Sequence, residues 1–514
     1  MQALKELALI VNKNKIRSIE MMSYPFGDGS KLSALYEGVL EGAFKTDEEA
    51  IDQLYDKEHN TSAYRKLKST LRNRLLNTLF FIDVKQPSYN SYQRAYYECY
   101  RDWAAIKILL GKNARNAAIS LGLKVLRYAE KYEFSFLCME VCDMLRFHYG
   151  AIEGDFKKFE AYDQQYQKHA GAAQYENQAK ELYLRLVIHY VNGRSQNKDA
   201  HQRARASFQQ LQTALGNCKT HDLYLYAFLI KLIIHTSVGN HEETVEVCEE
   251  AIRFFSKKGF EAHVPLQIFY YQQLVCHIQL RQFEKGRAAA ERCLNLMEEG
   301  GYNWFKYLEL YFILSMHTRQ YQQAYEVYKQ AIGHQRFSFL PENVQELWRI
   351  YEAYLHYLSI LGKLQAGTEE ARFSKFRLGR FLNETPIFSQ DKQGLNISIL
   401  IIQILFFILK KDYGQAGDRI QAIEQYCHRY LKKDDTYRSN CFMKMLLHIP
   451  KANFHKAAVL RQASGYFGKL QAFPIEISNQ AYEVEIIPYE DLWEMAVQSL
   501  ENKFFRQRRG LALG

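Results

Sequence analysis

Apolar residues recur along most of this chain at spacings of three and four, the period of a helix with one buried face. From Ser91 onward the pattern divides into pairs. Tyr92 to Leu110 precedes Asn113 to Tyr132 across Gly111 and Lys112, and Glu133 to Tyr149 precedes Asp155 to Ala170. Tyr175 to Val191 is followed by Ala200 to Leu215, and Asp222 to Val238 by Glu242 to Lys257 across Gly239-Asn-His241. Pro265 to Leu280 pairs with Phe283 to Glu298, and Trp304 to Thr318 with Tyr321 to Ile332. Asn343 to Gly362 opens another pair, Leu395 to Leu409 precedes Tyr413 to Tyr430, and Thr436 to His448 precedes Phe454 to Leu470. A closing helix begins at Pro488 and runs to about Arg506. Strand-like alternation is confined to Tyr482–Ile487, so the expected fold class is all-α.

The N-terminal region reads differently. Ser30 is placed to cap a helix through Gly42, and Thr46-Asp-Glu-Glu49 has the form of a capping box for a second helix ending near Tyr55. Thr61 or Ser62 opens a third helix to about Phe81, with Tyr64, Leu67, Leu71, Leu75 and Leu79 on its apolar face. Four regions follow from this pass: a helical segment 1–90, helical repeats over 91–335, more degenerate repeats over 336–470, and a closing helix with a basic tail over 471–514.

The clearest repeat copy runs from Arg319 to Ile332. Tyr321, Ala324, Tyr328 and Ala331 share one face, and alternating large and small residues there let a neighbouring helix approach closely. The residues just after successive turns are Phe156, His241, Phe283 and Tyr321. The last two gaps are 42 and 38 residues and the first, 85, is close to two periods. Self-similarity at such a period marks a solenoid, in which each hairpin buries its face against its neighbours. This pattern resembles the tetratricopeptide repeat over residues 92–335, and more loosely over 340–470, although that repeat has a shorter unit of about 34 residues. The resemblance implies a right-handed α-solenoid of antiparallel hairpins. It also implies that the first helix of each pair lines an inner groove, which by alignment would present Tyr271, Gln279, Lys306, Glu309 and His317 to a protein or peptide partner.

Composition changes this picture little. Prolines number 8, with none between Pro87 and Pro265, as long helices require. Nine cysteines are scattered without the pairing of a disulfide framework or zinc module, which fits a reduced cytoplasmic compartment. The opening decapeptide carries Glu6 and no long apolar core, so it does not read as a secretory signal. The most apolar run, Leu395 to Leu409, contains Asn396, Ser398 and Gln403 and is shorter than the ~20 residues a bilayer span needs. No membrane association is expected. A net charge of +10 permits an acidic partner without demanding one.

The basic charge is concentrated on the third helix. Arg65, Lys66, Lys68, Arg72 and Arg74 occur with no acid between Thr61 and Ile82, and Arg65, Lys68 and Arg72 share a face. An acidic helix, a short loop and a basic helix are the parts of a helix-turn-helix unit, so these three are candidates for nucleic-acid or acidic-partner contact. The alternative is a solvated face whose long stems cover apolar surface. Elsewhere no phosphate-cradling glycine loop, nucleophile elbow or His-Glu-x-x-His pair occurs. Cys138, Cys142 and His148 have metal-ligand chemistry, but Cys138 sits in an apolar helix where packing explains it. No catalytic set, metal or cofactor is expected.

The functional expectation is therefore a non-enzymatic scaffold or regulator. The rival is a transcriptional regulator whose N-terminal helices touch DNA while the array senses a peptide. That arrangement resembles the bacterial peptide-sensing regulators that join a helix-turn-helix to tetratricopeptide repeats, from which this chain departs by its long, poorly matching N-terminal region and its longer array.

Overall fold

The computed structural model describes residues 1–13, 30–44, 46–55, 61–84, 89–192, 197–364, 379, 381, 395–430, 437–475 and 485–503. Among these, 22 α-helices are traced and no β-strand occurs. Residues 374–382 (Gly379 and Phe381 apart), which carry Lys375, Arg377 and Arg380 and no acid, residues 482–484 of the strand-like stretch and the tail from Arg506 lie outside the described residues; Glu485 to Ile487 do not form a strand. No described helix is long and apolar enough to cross a membrane.

By internal contacts the chain divides into two units, one of residues 1–173 with 259–261 and one of 174–258 with 262–514. In the first, α1 (Gln2–Lys13), α2 (Lys31–Glu41), α3 (Asp47–Leu54) and α4 (Thr61–Leu79) gather around Leu4, Ala8, Leu35, Val39, Ile51, Tyr64, Leu71 and Leu75. Ser30 caps α2 by accepting from the Ser33 amide (3.2 Å), and Thr46 caps α3 by accepting from that of Glu49 (3.3 Å). A second core joins α5 (Ser91–Gly111), α6 (Arg115–Lys131) and α7 (Ser135–Phe147), with Trp103, Val125, Leu137, Cys138 and Cys142 inside. Burial pushes the Cys142 thiol up to about 12, as expected of a packing residue. His148, which opens a π-helical turn over His148–Glu153, lies 3.0 Å from Glu153.

One expectation is corrected here. The helices read at Asp155–Ala170 and Tyr175–Val191 are a single helix, α8 (Phe156–Asn192), of 37 residues. Gly171 stands alone among Ala170, Ala172 and Ala173, with no proline or capping residue. One glycine costs only about 1 kcal/mol in a helix, so the pattern runs through. Its first half belongs to the first unit and its second to the second.

The second unit is a run of helices packed in sequence order: α9 (Asn197–Gln210), continued past Leu211 by the short α10 (Gln212–Asn217), packs on α11 (His221–Thr236); α11 pairs with α12 (His241–Ser256), α13 (His263–Gln279) with α14 (Phe283–Leu294), and α15 (Tyr302–His317) with α16 (Tyr321–Gly333). After α17 (Glu342–Ile360) come α18 (Leu395–Leu409) with α19 (Tyr413–Tyr430), α20 (Tyr437–Lys451) with α21 (Lys456–Ala472), and finally α22 (Tyr489–Gln498). From α11 onward each helix packs on the next, and α13 also packs on α15. Tyr321, Ala324, Tyr328 and Ala331 are buried together, as the repeat predicts. The helices approach closely at Gly286, where a Cβ would come within 2.6 Å of Leu314.

The same turn closes hairpins in both units. A residue in the left-handed region follows the first helix, and the next amide reaches back five residues to a carbonyl, as in a Schellman cap. It occurs at Asn113, Glu133, Gly239, Arg281, Arg319, Gly362, Lys411 and Asn453. The returning bonds include Ala114 to Leu109 (2.9 Å), Gln282 to His277 (3.0 Å), Gln320 to Ser315 (2.8 Å) and Asp412 to Phe407 (2.9 Å). Six of these eight positions hold a side chain where glycine would avoid a cost of about 1 kcal/mol.

At three of them the side chain has a use. Arg319 donates from Nε (3.1 Å) and Nη2 (2.5 Å) to Asp491 of α22, Arg281 Nη2 lies 3.6 Å from the same carboxylate, and Lys411 pairs with Glu501. Residues 485–503 thus form a strap that meets equivalent turn residues of three hairpins. Arg438 of α20, fully buried, anchors its start: Nε and Nη2 donate to the buried Glu485 (3.1 and 2.7 Å), Nη2 also to Glu490 (2.7 Å), and Nη1 to the Phe473 carbonyl (2.7 Å). The Tyr489 amide donates to Glu485 (2.7 Å), and His317 Nε2 donates to the Glu485 carbonyl (2.5 Å).

Two outcomes test the strap. Removing one partner of a buried pair strands the other, so Arg438→Met should cost about 3–5 kcal/mol and Arg438→Met with Glu485→Leu much less than the two singles combined. Urea unfolding together with hydrogen exchange over residues 485–500 measures this. Burial, with Arg281 and Arg438 nearby, pulls the His317 imidazole down to about 4, while the Glu485 carbonyl and Asp491 oppose the shift. The unfolded chain therefore takes up a proton near pH 6.5 that the folded chain refuses until about 4, and stability should fall as pH drops through that window, by at most about 1.4 kcal/mol per pH unit. His317→Gln should flatten the acid side of the thermal-midpoint curve. It will not level it, because burial also pulls His277 down to about 4.

Candidate partner-binding groove

In a run of hairpins the first helices stand side by side, and their outward residues recur every three or four positions. In the second unit α11, α13 and α15, with the second half of α8, line a cavity of about 660 Å³. Its wall is mostly apolar: Tyr183 and Val187 from α8, Leu229, Leu232 and Ile233 from α11, Val264, Ile268 and Tyr271 from α13. A volume of this size falls in the range of small-molecule and peptide sites. Tyr271 meets Tyr307 edge to face at 5.5 Å, and the Tyr307 hydroxyl donates to the Gln267 carbonyl at 2.5 Å, so the aromatic wall is fixed in place. The Gln267 side chain is held as well, donating to the Leu296 carbonyl at 2.7 Å. Gln272 and Asn303 add amides to the lining.

Of the five residues aligned to the groove, Tyr271 and Lys306 do line it. Glu309 lies beneath, only 3% exposed, and accepts from Lys306 Nζ at 2.8 Å. Lys306 is thus a cation at the rim whose charge is answered from inside the protein. Gln279 and His317 are interior instead. Gln279 is two residues before the left-handed turn at Arg281, and eight residues past Tyr271 turn it about 80° away from the wall. His317 shares the phase of Lys306, but the strap at Glu485 bonds to it. The lining residues Val264, Gln267 and Ile268 were within reach of the sequence, since they precede Tyr271 at helical spacing.

The basic helix of the first unit is resolved residue by residue. Lys68 is engaged, donating to both oxygens of Asp47 (2.8 and 2.7 Å), which also accepts from the Tyr64 hydroxyl (2.9 Å). Arg65 and Arg72 are exposed on the flank of α4, about a quarter turn from its core. Among the described residues, no group of three His, Cys, Asp or Glu is placed to hold a metal ion. Comparison with protein-family models, curated proteins and solved structures gave no match.

The Lys306–Glu309 pair has a consequence for mutagenesis. Replacing Lys306 leaves a carboxylate beneath the groove without its ammonium, so Lys306→Met should lower stability by about 1–2 kcal/mol, and Lys306→Glu by more. Adding Glu309→Gln to Lys306→Met should recover most of that loss, as read by thermal unfolding.

Proposed function

We propose that this chain is a non-enzymatic scaffold or regulator, built on a tetratricopeptide-like right-handed array, that captures an apolar segment of a partner protein in the groove of α11, α13 and α15. One observation carries the reading: three consecutive first helices contribute to a single apolar, aromatic-walled cavity. Tyrosines at such a surface offer large contact area at little entropic cost. With Lys306 neutralised by Glu309, the groove selects for shape and apolar content more than for charge.

Val264 and Tyr271 are the residues to change, since Val264 is exposed and lies in the first turn of α13, where an acid is tolerated by the helix dipole. Pull-down from native lysate, with and without nuclease, should recover the same partner from the unaltered chain in both arms. Val264→Glu with Tyr271→Ala should lower that recovery at least tenfold with the helical circular dichroism retained, while loss of the Tyr271–Tyr307 contact lowers the thermal midpoint modestly. Partners that vanish with nuclease and ignore the groove substitutions would sink this reading and move the weight to a DNA-binding regulator.

A further inference from the structure

α4 carries two distinct faces. Its inner ladder, Tyr64, Leu71, Leu75 and Thr78, is buried against α1 and α2. Along its flank, about a third of a turn from that ladder, stand Arg65, Ser69, Arg72 and Leu76, at steps of four, three and four, with Phe80 in the turn just past the end of the helix, and all five are exposed. Those are the steps by which one helix packs its side chains into the grooves of another. Leu76, on that line, and Phe80, just past it, are 38% and 55% exposed. No acid occurs anywhere in α4. The Asp47 bonds to Lys68 and Tyr64 fix the rotation of α4, which keeps that flank turned to solvent.

We propose that the exposed flank of α4 docks an acidic amphipathic helix of a partner protein, with carboxylates opposite Arg65 and Arg72 and apolar residues opposite Leu76 and Phe80. Charge complementarity selects an acidic partner. The continuation into Leu76 and Phe80 selects a protein helix over a phosphate backbone, which offers those side chains nothing to pack on. Ser69, between the two arginines, leaves room for close approach. This surface belongs to the first unit and is independent of the groove.

The probe is a labelled 18-residue helix-forming peptide with glutamates seven apart and leucines four and eight residues beyond. It is made in forward and reversed order and as a scrambled control, and titrated against the full chain by fluorescence anisotropy at 100 mM salt. One ordered peptide should bind at least tenfold more tightly than the scrambled one. Arg65→Glu with Arg72→Glu, and separately Leu76→Ser with Phe80→Ser, should each raise its Kd at least tenfold without moving the thermal midpoint. The arginine variant should in turn bind a peptide carrying lysines in place of the glutamates. Equal binding of ordered and scrambled peptides overturns the proposal, as does indifference to either pair of substitutions. A 30-base-pair DNA duplex that binds through Arg65 and Arg72 while ignoring Leu76 and Phe80 overturns it in favour of nucleic acid.

Discussion

A carboxylate sealed from water stays ionised only where cations and N–H groups replace its hydration. The second unit is organised around two such groups, Glu485 and Asp491, the latter 2% exposed. Arg438 and the Tyr489 amide satisfy the first, and Arg281 and Arg319 the second. None of these partners is close in sequence except Tyr489. The charges therefore do what apolar contacts alone do poorly: they assign α22 one position and one rotation against the hairpins. They also account for backbone strain at Arg281 and Arg319, because glycine there would relax the turn and abandon the carboxylate.

Local physics made much of the fold legible. The Tyr–Ala face after Arg319, the capped starts at Ser30 and Thr46 and the turns at Gly239, Arg281 and Arg319 all follow from helical spacing and terminus chemistry, and the structure has them. The break expected near Gly171 failed because flanking alanines outweigh a single glycine. The strap was out of reach for a different reason. Its partners lie from 47 residues (Arg438 to Glu485) to 172 (Arg319 to Asp491) away, with Arg281 further still, and nothing local distinguishes Asp491 as a buried residue from any other acid in the first turn of a helix.

The candidate groove was half legible on the same grounds. Periodicity placed Tyr271 and Lys306 on the wall, but not the rotation that hides Gln279 or the segment that meets His317. Lys306 shows why charge read from sequence misleads: a lysine facing a groove suggests an acidic ligand until Glu309 is found beneath it. Lys68 teaches the same lesson on α4. Once such internal pairs are removed, the groove is left apolar and the exposed flank of α4 basic, so the two surfaces differ in the chemistry they offer.

The strap also bears on how the chain is made. Synthesis is vectorial, and the α13–α14 and α15–α16 turns leave the ribosome long before residues 485–503 exist. Until then Arg281 and Arg319 hold strained conformations with no Asp491 to answer them, and Arg438 faces an interior without its carboxylate. The hairpins can form locally, yet their turn charges are answered only once residues 485–503 arrive, through contacts that span a third of the 514 residues.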